Sequence, residues 1–79
     1  NCILPDYRRQ GFGRLQILEM LNRFKSMNFR KVKATTGSVS FFVPAQRMYL
    51  SCGFHEVRRA SHKLIPNFEL IYYEKKLYE

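Results

Sequence analysis

The chain has 79 residues, enough for one small domain, and a domain this short buries little more than ~60% of the surface its unfolded chain exposes. A composition of 46% hydrophobic and 25% charged residues, with seven Phe and five Tyr, excludes a disordered chain. Fourteen Lys and Arg against six Asp and Glu give a net charge of +8, which favours an anionic partner. Nucleic acid, an acidic membrane surface and a phosphorylated cofactor all fit that number.

Residues 1–4 read as the tail of a strand, broken by Pro5 and Asp6. From Phe12 to about Met27 the spacing predicts a helix. Ile17, Met20, Leu21, Phe24 and Met27 recur at intervals of three and four and form a core stripe, with Gln16, Glu19, Asn22, Arg23 and Ser26 opposite. The helix is expected to stop near Asn28. Residues 31–36 alternate and carry β-branched side chains, so they read as a strand that Gly37 ends. A loop containing Phe41 and Phe42 leads to a second helix from about Pro44 to Cys52, with Pro44 in its first turn and Gly53 at its C-terminal cap. Strands near 54–60 and 68–77 close the chain, with Pro66 and Asn67 as turn residues between them. The order β-α-β-α-β-β predicts an α/β fold with a mixed sheet. The first two strands should be parallel through a crossover helix, and the last pair should be antiparallel.

Cys2 and Cys52 are too few for a disulfide framework and have no metal-ligand spacing, which suits a reducing cytoplasm. No apolar run approaches the ~18 residues of a membrane span, and there is no signal-peptide pattern. The chain begins at Asn1 rather than Met. It is expected to be a single domain, 1–79, truncated at its N-terminus.

Chemistry gathers first at Arg8, Arg9, Gln10, Gly11, Phe12 and Gly13, between the broken strand and the first helix. A helix N-terminus leaves about four backbone N–H groups unpaired and carries roughly half a positive charge. A strand entering it through a glycine turn lets the backbone approach a phosphate, and Arg8, Arg9 and Arg14 add cations there. By itself this is either a tight turn or an anion site. A dinucleotide fingerprint is excluded by the missing third glycine, and a Walker loop by the missing Gly-Lys-Ser/Thr.

Residues 45–54 supply a second motif, Ala-Gln-Arg-Met-Tyr-Leu-Ser-Cys-Gly-Phe. Taken with Arg8-x-x-Gly11-x-Gly13, it resembles the GNAT acetyltransferase superfamily. In that family an Arg/Gln-x-x-Gly-x-Gly/Ala turn opens one helix and an Ala-x-x-x-Tyr-x-x-x-Gly-Phe signature marks the next. Tyr72 to Leu77 look like the closing strand of small members. The resemblance covers nearly the whole chain but only the C-terminal half of the family's fold.

It implies an N-acetyltransferase, or a fragment of one, moving an acetyl group from acetyl-coenzyme A to a primary amine. The pantetheine arm would lie along Cys2, Ile3 and Leu4. The pyrophosphate would bind the backbone N–H groups of Arg8, Arg9, Gln10, Gly11, Phe12 and Gly13, with Arg14 beside them. Tyr49, at the family's tyrosine position, would protonate the departing thiolate. A phenol near pKa ~10 facing a thiol near ~8.5 makes that transfer only slightly uphill. The other reading of Tyr49 is a packed core aromatic. Phe42 stands where many members have an Asn that contacts the cofactor. His55, Glu56 and His62 are available as a general base, with nothing in the sequence selecting among them. Cys52 is expected to be buried.

Two rival readings remain: a cofactor-binding module that lacks the acceptor side, and a basic nucleic-acid module. The aromatics sit mostly at core periodicity, which argues against the second rival. A strand edge at residues 1–4 without its usual neighbours is ready to pair, so a homodimer completing the sheet is a further expectation.

Overall fold

Ile17 and Leu21 lie one helical turn apart and are both buried, which fixes the face that the first helix turns inward. They belong to α1, Arg14–Ser26, in a computed structural model that describes residues 2–4 (backbone alone) and 13–78. Leu18, Met20 and Phe24 pack partly buried against the same core. The helix ends in a Schellman motif. The N–H of Asn28 donates to the carbonyl of Lys25 (3.0 Å) and that of Phe29 to Phe24 (3.0 Å), while Asn28 takes a left-handed φ of 68°. The Phe29 ring meets Phe24 edge-on at 5.7 Å, the apolar contact that usually accompanies such a cap. Met27, expected on the core stripe, is the cap residue and is 63% exposed, because the chain turns away before its side chain reaches the core.

Strand β1, Cys2–Leu4, runs parallel to β2, Lys31–Gly37, with Cys2 opposite Val32, Ile3 opposite Lys33 and Leu4 opposite Ala34. A short 3₁₀ turn, Ser40–Phe42, leads into α2, Val43–Ser51, with Pro44 in its first turn as expected. Strands β3, His55–Ser61, and β4, Glu69–Lys76, form the expected antiparallel hairpin. Asn67 sits at its tip with φ 58°. The sheet order is β1-β2-β4-β3: β4 returns between β2 and β3, antiparallel to both.

Period two sorts each strand into faces. Val32, Ala34 and Thr36 of β2 and Ile71 and Tyr73 of β4 are buried on the side that carries both helices. Lys31, Lys33 and Thr35, with Leu70, Tyr72 and Glu74, occupy the opposite face, where no described helix lies. β3 is an edge strand, exposed along nearly its whole length, and a register shift between Glu56 and Arg58 marks a bulge at Val57. Among the described residues no helix is long and apolar enough to cross a membrane.

Candidate active site

Two parallel strands cannot be joined by a tight turn, so the chain between β1 and β2 must cross over, and α1 is that crossover. The pairing ends at Leu4 and Ala34, while β2 continues through Thr35, Thr36 and Gly37 with no β1 partner among the described residues. α1 begins at Arg14, with Gly13 as the residue before its first turn.

Gly13 has an ordinary extended backbone, φ −82° and ψ 165°, that any residue could adopt. A Cβ built on it meets nothing within 4 Å. Neither conformation nor packing against described residues therefore demands a glycine here. Among the described residues, what the missing side chain leaves is open space at a helix start, where backbone amides lack intrahelical acceptors. Gly13 has no side chain to cap those amides. Instead its own N–H donates to Oε1 of Gln16 (3.0 Å), and the N–H of Gln16 donates back to the Gly13 carbonyl (3.1 Å). Arg14 follows, exposed. Gly13 and Arg14 could stand beside a phosphate group here, the Gly13 N–H being released from Gln16 as it binds. Arg8, Arg9, Gln10, Gly11 and Phe12 lie outside the described residues, and for Cys2, Ile3 and Leu4 the backbone alone is described.

Tyr49 lies on the inner face of α2, 0% exposed, with its ring 5.3 Å from that of Phe54 and 5.9 Å from that of Tyr73. The signature around it has a physical explanation. α2 ends in a second Schellman motif, with Phe54 N–H donating to the Tyr49 carbonyl (3.0 Å) and Gly53 N–H to the Leu50 carbonyl (3.1 Å). Gly53 takes φ 93°, where a side chain would be strained and would also meet Lys75. Tyr49 and Phe54 supply the apolar contact of the cap. The spacing Tyr-x-x-x-Gly-Phe therefore encodes a helix stop that clamps the tyrosine ring in place. Ala45, one turn earlier, and Cys52 are buried beside it, Cys52 as a free thiol.

Phe42 is also buried, its ring 5.3 Å from Phe41 and 6.0 Å from Phe68. A Cβ at Gly37 would fall 2.5 Å from the Phe42 ring and 2.8 Å from that of Phe68. The aromatic at this position thus lies over the end of β2 as a packing element.

Of the candidate bases, Glu56 is committed to Arg59, which donates to both carboxylate oxygens (2.9 and 3.1 Å) and holds the carboxyl below its usual range. His62 uses Nδ1 to accept the backbone N–H groups of Leu64 and Ile65, both at 3.0 Å, and so organises the β3–β4 turn. His55 is exposed at the start of β3, opposite Glu74.

The uncovered face of the sheet holds a cavity of about 440 Å³, lined by Lys33 and Thr35 of β2, Val57 and Arg58 of β3, and Tyr72, Tyr73 and Glu74 of β4. The guanidinium of Arg58 lies over the Tyr72 ring, 3.9 Å from its centroid. Sequence reasoning missed this group. Its members come from three strands, and the bulge that sets Arg58 opposite Tyr72 leaves no periodic signal.

A parallel strand pair joined through a helix that starts on an open glycine, followed by a capped helix and an antiparallel return, defines an α/β fold of the acetyltransferase class. The Acetyltransferase (GNAT) family model matches residues 2–54, ending on the Phe54 of the second cap, and the chain belongs to that family. Among solved structures the fold is similar to a GNAT-family protein from Desulfovibrio desulfuricans (TM-score 0.77, 20% identity, 91% of this chain and 46% of that one). It is similar also to a spermidine N-acetyltransferase chimera from Vibrio cholerae (0.70, 20%, 87% and 43%). A third is the ribosomal-protein-S18-alanine N-acetyltransferase of Escherichia coli (0.71, 18%, 94% and 48%). The chain spans less than half the length of each. Among curated protein sequences nothing matches it.

Proposed function

We propose that the protein is an N-acetyltransferase that moves the acetyl group of acetyl-coenzyme A to a primary amine. The observation that carries this reading is the family match over residues 2–54, which takes in the β1–α1–β2 crossover and the capped α2 together. The cofactor supplies an acyl group activated as a thioester. In this reading the backbone of Cys2, Ile3 and Leu4 lies along its pantetheine arm. Arg8, Arg9, Gln10, Gly11, Phe12 and Gly13 hold its pyrophosphate, with Arg14 beside them. The Tyr49 hydroxyl donates the proton that the departing thiolate needs, and the packing of its ring against Phe54 and Tyr73 supports that role by fixing its position. A free, buried Cys52 thiol supports a cytoplasmic protein.

A second reading has an observation of its own. The chain spans less than half of the enzymes it resembles, which favours a cofactor-binding module without an acceptor side. Pairing of β1 with a second copy would complete the sheet.

Thermal denaturation separates these readings. Acetyl-coenzyme A should raise Tm under either one, because a ligand that binds only the folded state stabilises it. No shift at millimolar cofactor overturns both. A shift with amine-dependent release of free thiol selects the transferase; a shift without it selects the binding module. Under the transferase reading Tyr49→Phe slows kcat by about 10²-fold or more with cofactor affinity little changed.

A further inference from the structure

We infer that the cavity on the uncovered face of the sheet is an anion site for the carboxylate of the acceptor, so that the substrates are small amines that also carry a carboxylate. The acceptor assignment rests on the transferase reading, whereas the anion site does not.

Two cations line the cavity, Lys33 and Arg58; neither forms a salt bridge among the described residues, and Lys33 lies opposite Glu74 across the strands, where its charge helps hold that carboxyl low. The one carboxylate in the lining, Glu74, is already engaged by Lys31 at 3.1 Å, a residue outside the cavity. Two cations against that single carboxylate leave the lining net positive. Arg58 is also held in place. Its guanidinium carbon lies 3.9 Å from the Tyr72 ring centroid, a contact that restrains a group whose planar fork of N–H donors suits a bidentate carboxylate. Thr35 adds a hydroxyl, and the Val57 side chain and the Tyr72 ring add apolar wall. The volume matches a small molecule.

Position links the cavity to the proposed reaction. Lys33 is the register partner of Ile3, and Thr35 is the next position on the same face, just past the last β1–β2 pair. The cavity thus opens one strand spacing, about 4.8 Å, from the strand assigned to the cofactor arm. An acceptor anchored there by its carboxylate needs only a short link to bring its amine to the acetyl group. A polyamine would instead put further positive charge beside Lys33 and Arg58.

The test titrates the protein with propionate and with propylamine, following backbone amides by NMR. Saturable propionate shifts are expected at Lys33, Thr35, Arg58 and Tyr72, with none from propylamine. Arg58→Gln should weaken propionate at least about tenfold, while Tyr72→Phe, which keeps the ring, should leave affinity unchanged. With acetyl-coenzyme A present, β-alanine should be acetylated in preference to propylamine, and Arg58→Gln should remove that preference through KM with kcat little altered. Propionate shifts that survive both Arg58→Gln and Lys33→Gln, or a preference for propylamine, overturn the proposal. Arg58-dependent propionate binding without turnover of any amine keeps the anion site but overturns its assignment to an acceptor, and with it the transferase reading.

Discussion

The side-chain amide of Gln46, on the first turns of α2, donates to the carbonyl of Gly37 at the end of β2 across 2.9 Å. The bond pins the second helix to the end of the strand that pairs with β1. It is partly buried, so its net worth is on the order of 0.5–1.5 kcal/mol. Gln46→Ala should lose about that much in urea denaturation, whereas Gln46→Glu, which cannot donate, should lose no less.

Gly37 itself tolerates no side chain. Gly37→Ala places a methyl group against two aromatic rings, and overpacking of that kind costs about 1–3 kcal/mol. Phe42→Leu in the same chain should recover part of the loss. A double-mutant cycle measures it, and strict additivity would show that the ring is not what the methyl group meets.

Tyr49 should separate packing from chemistry. Removal of a fully buried aromatic costs about 3–5 kcal/mol, a large share of the ~4–12 kcal/mol available to a domain of this length. Tyr49→Ala should therefore melt at a markedly lower temperature by circular dichroism. Tyr49→Phe keeps both ring contacts and should fold, leaving activity as its readout.

Stability should fall at both ends of the pH scale. Glu56 is held below the usual carboxylate range by its hydrogen bond to Arg59, and Glu74 by its bond to Lys31. The unfolded chain then takes up protons before the folded one, so the stabilisation present above about pH 4.5 is lost as pH drops below it. Both carboxylates face solvent, so the loss is small and shrinks in salt. Tyr73 moves the other way: burial raises its phenol, so the unfolded chain ionises first and stability falls as pH rises past about 10. Tyr73→Phe should reduce the alkaline loss alone, and Lys31→Gln should remove only Glu74's share of the acid loss, leaving that of Glu56.

Much of this molecule is written in local pattern. Ile17 and Leu21 declare the inner face of α1 by spacing, and Gly53 declares a helix end because few other residues accept its φ. Met27 misleads because the periodicity runs one residue past Ser26, the last of the helix, onto the cap residue just before Asn28 turns the chain. The place of β4 between β2 and β3 is a choice among partners, which no strand states by itself. The same holds for the Arg58–Tyr72 pair, made by a bulge. The motif glycines pointed to the helix start and its cap, but the strand-face cavity depends on register between distant segments and left no mark in the sequence.

The Gln16 side chain closes a loop on the Gly13 amide and so acts as the helix end's resident guest. An anion arriving at that N–H meets an occupied seat, and its binding is an exchange in which a neutral amide oxygen is released. Gln16→Ala would leave the seat empty. The helix would be less stable alone but more receptive, so under the proposed function the rise in Tm with acetyl-coenzyme A should grow as the resting protein weakens.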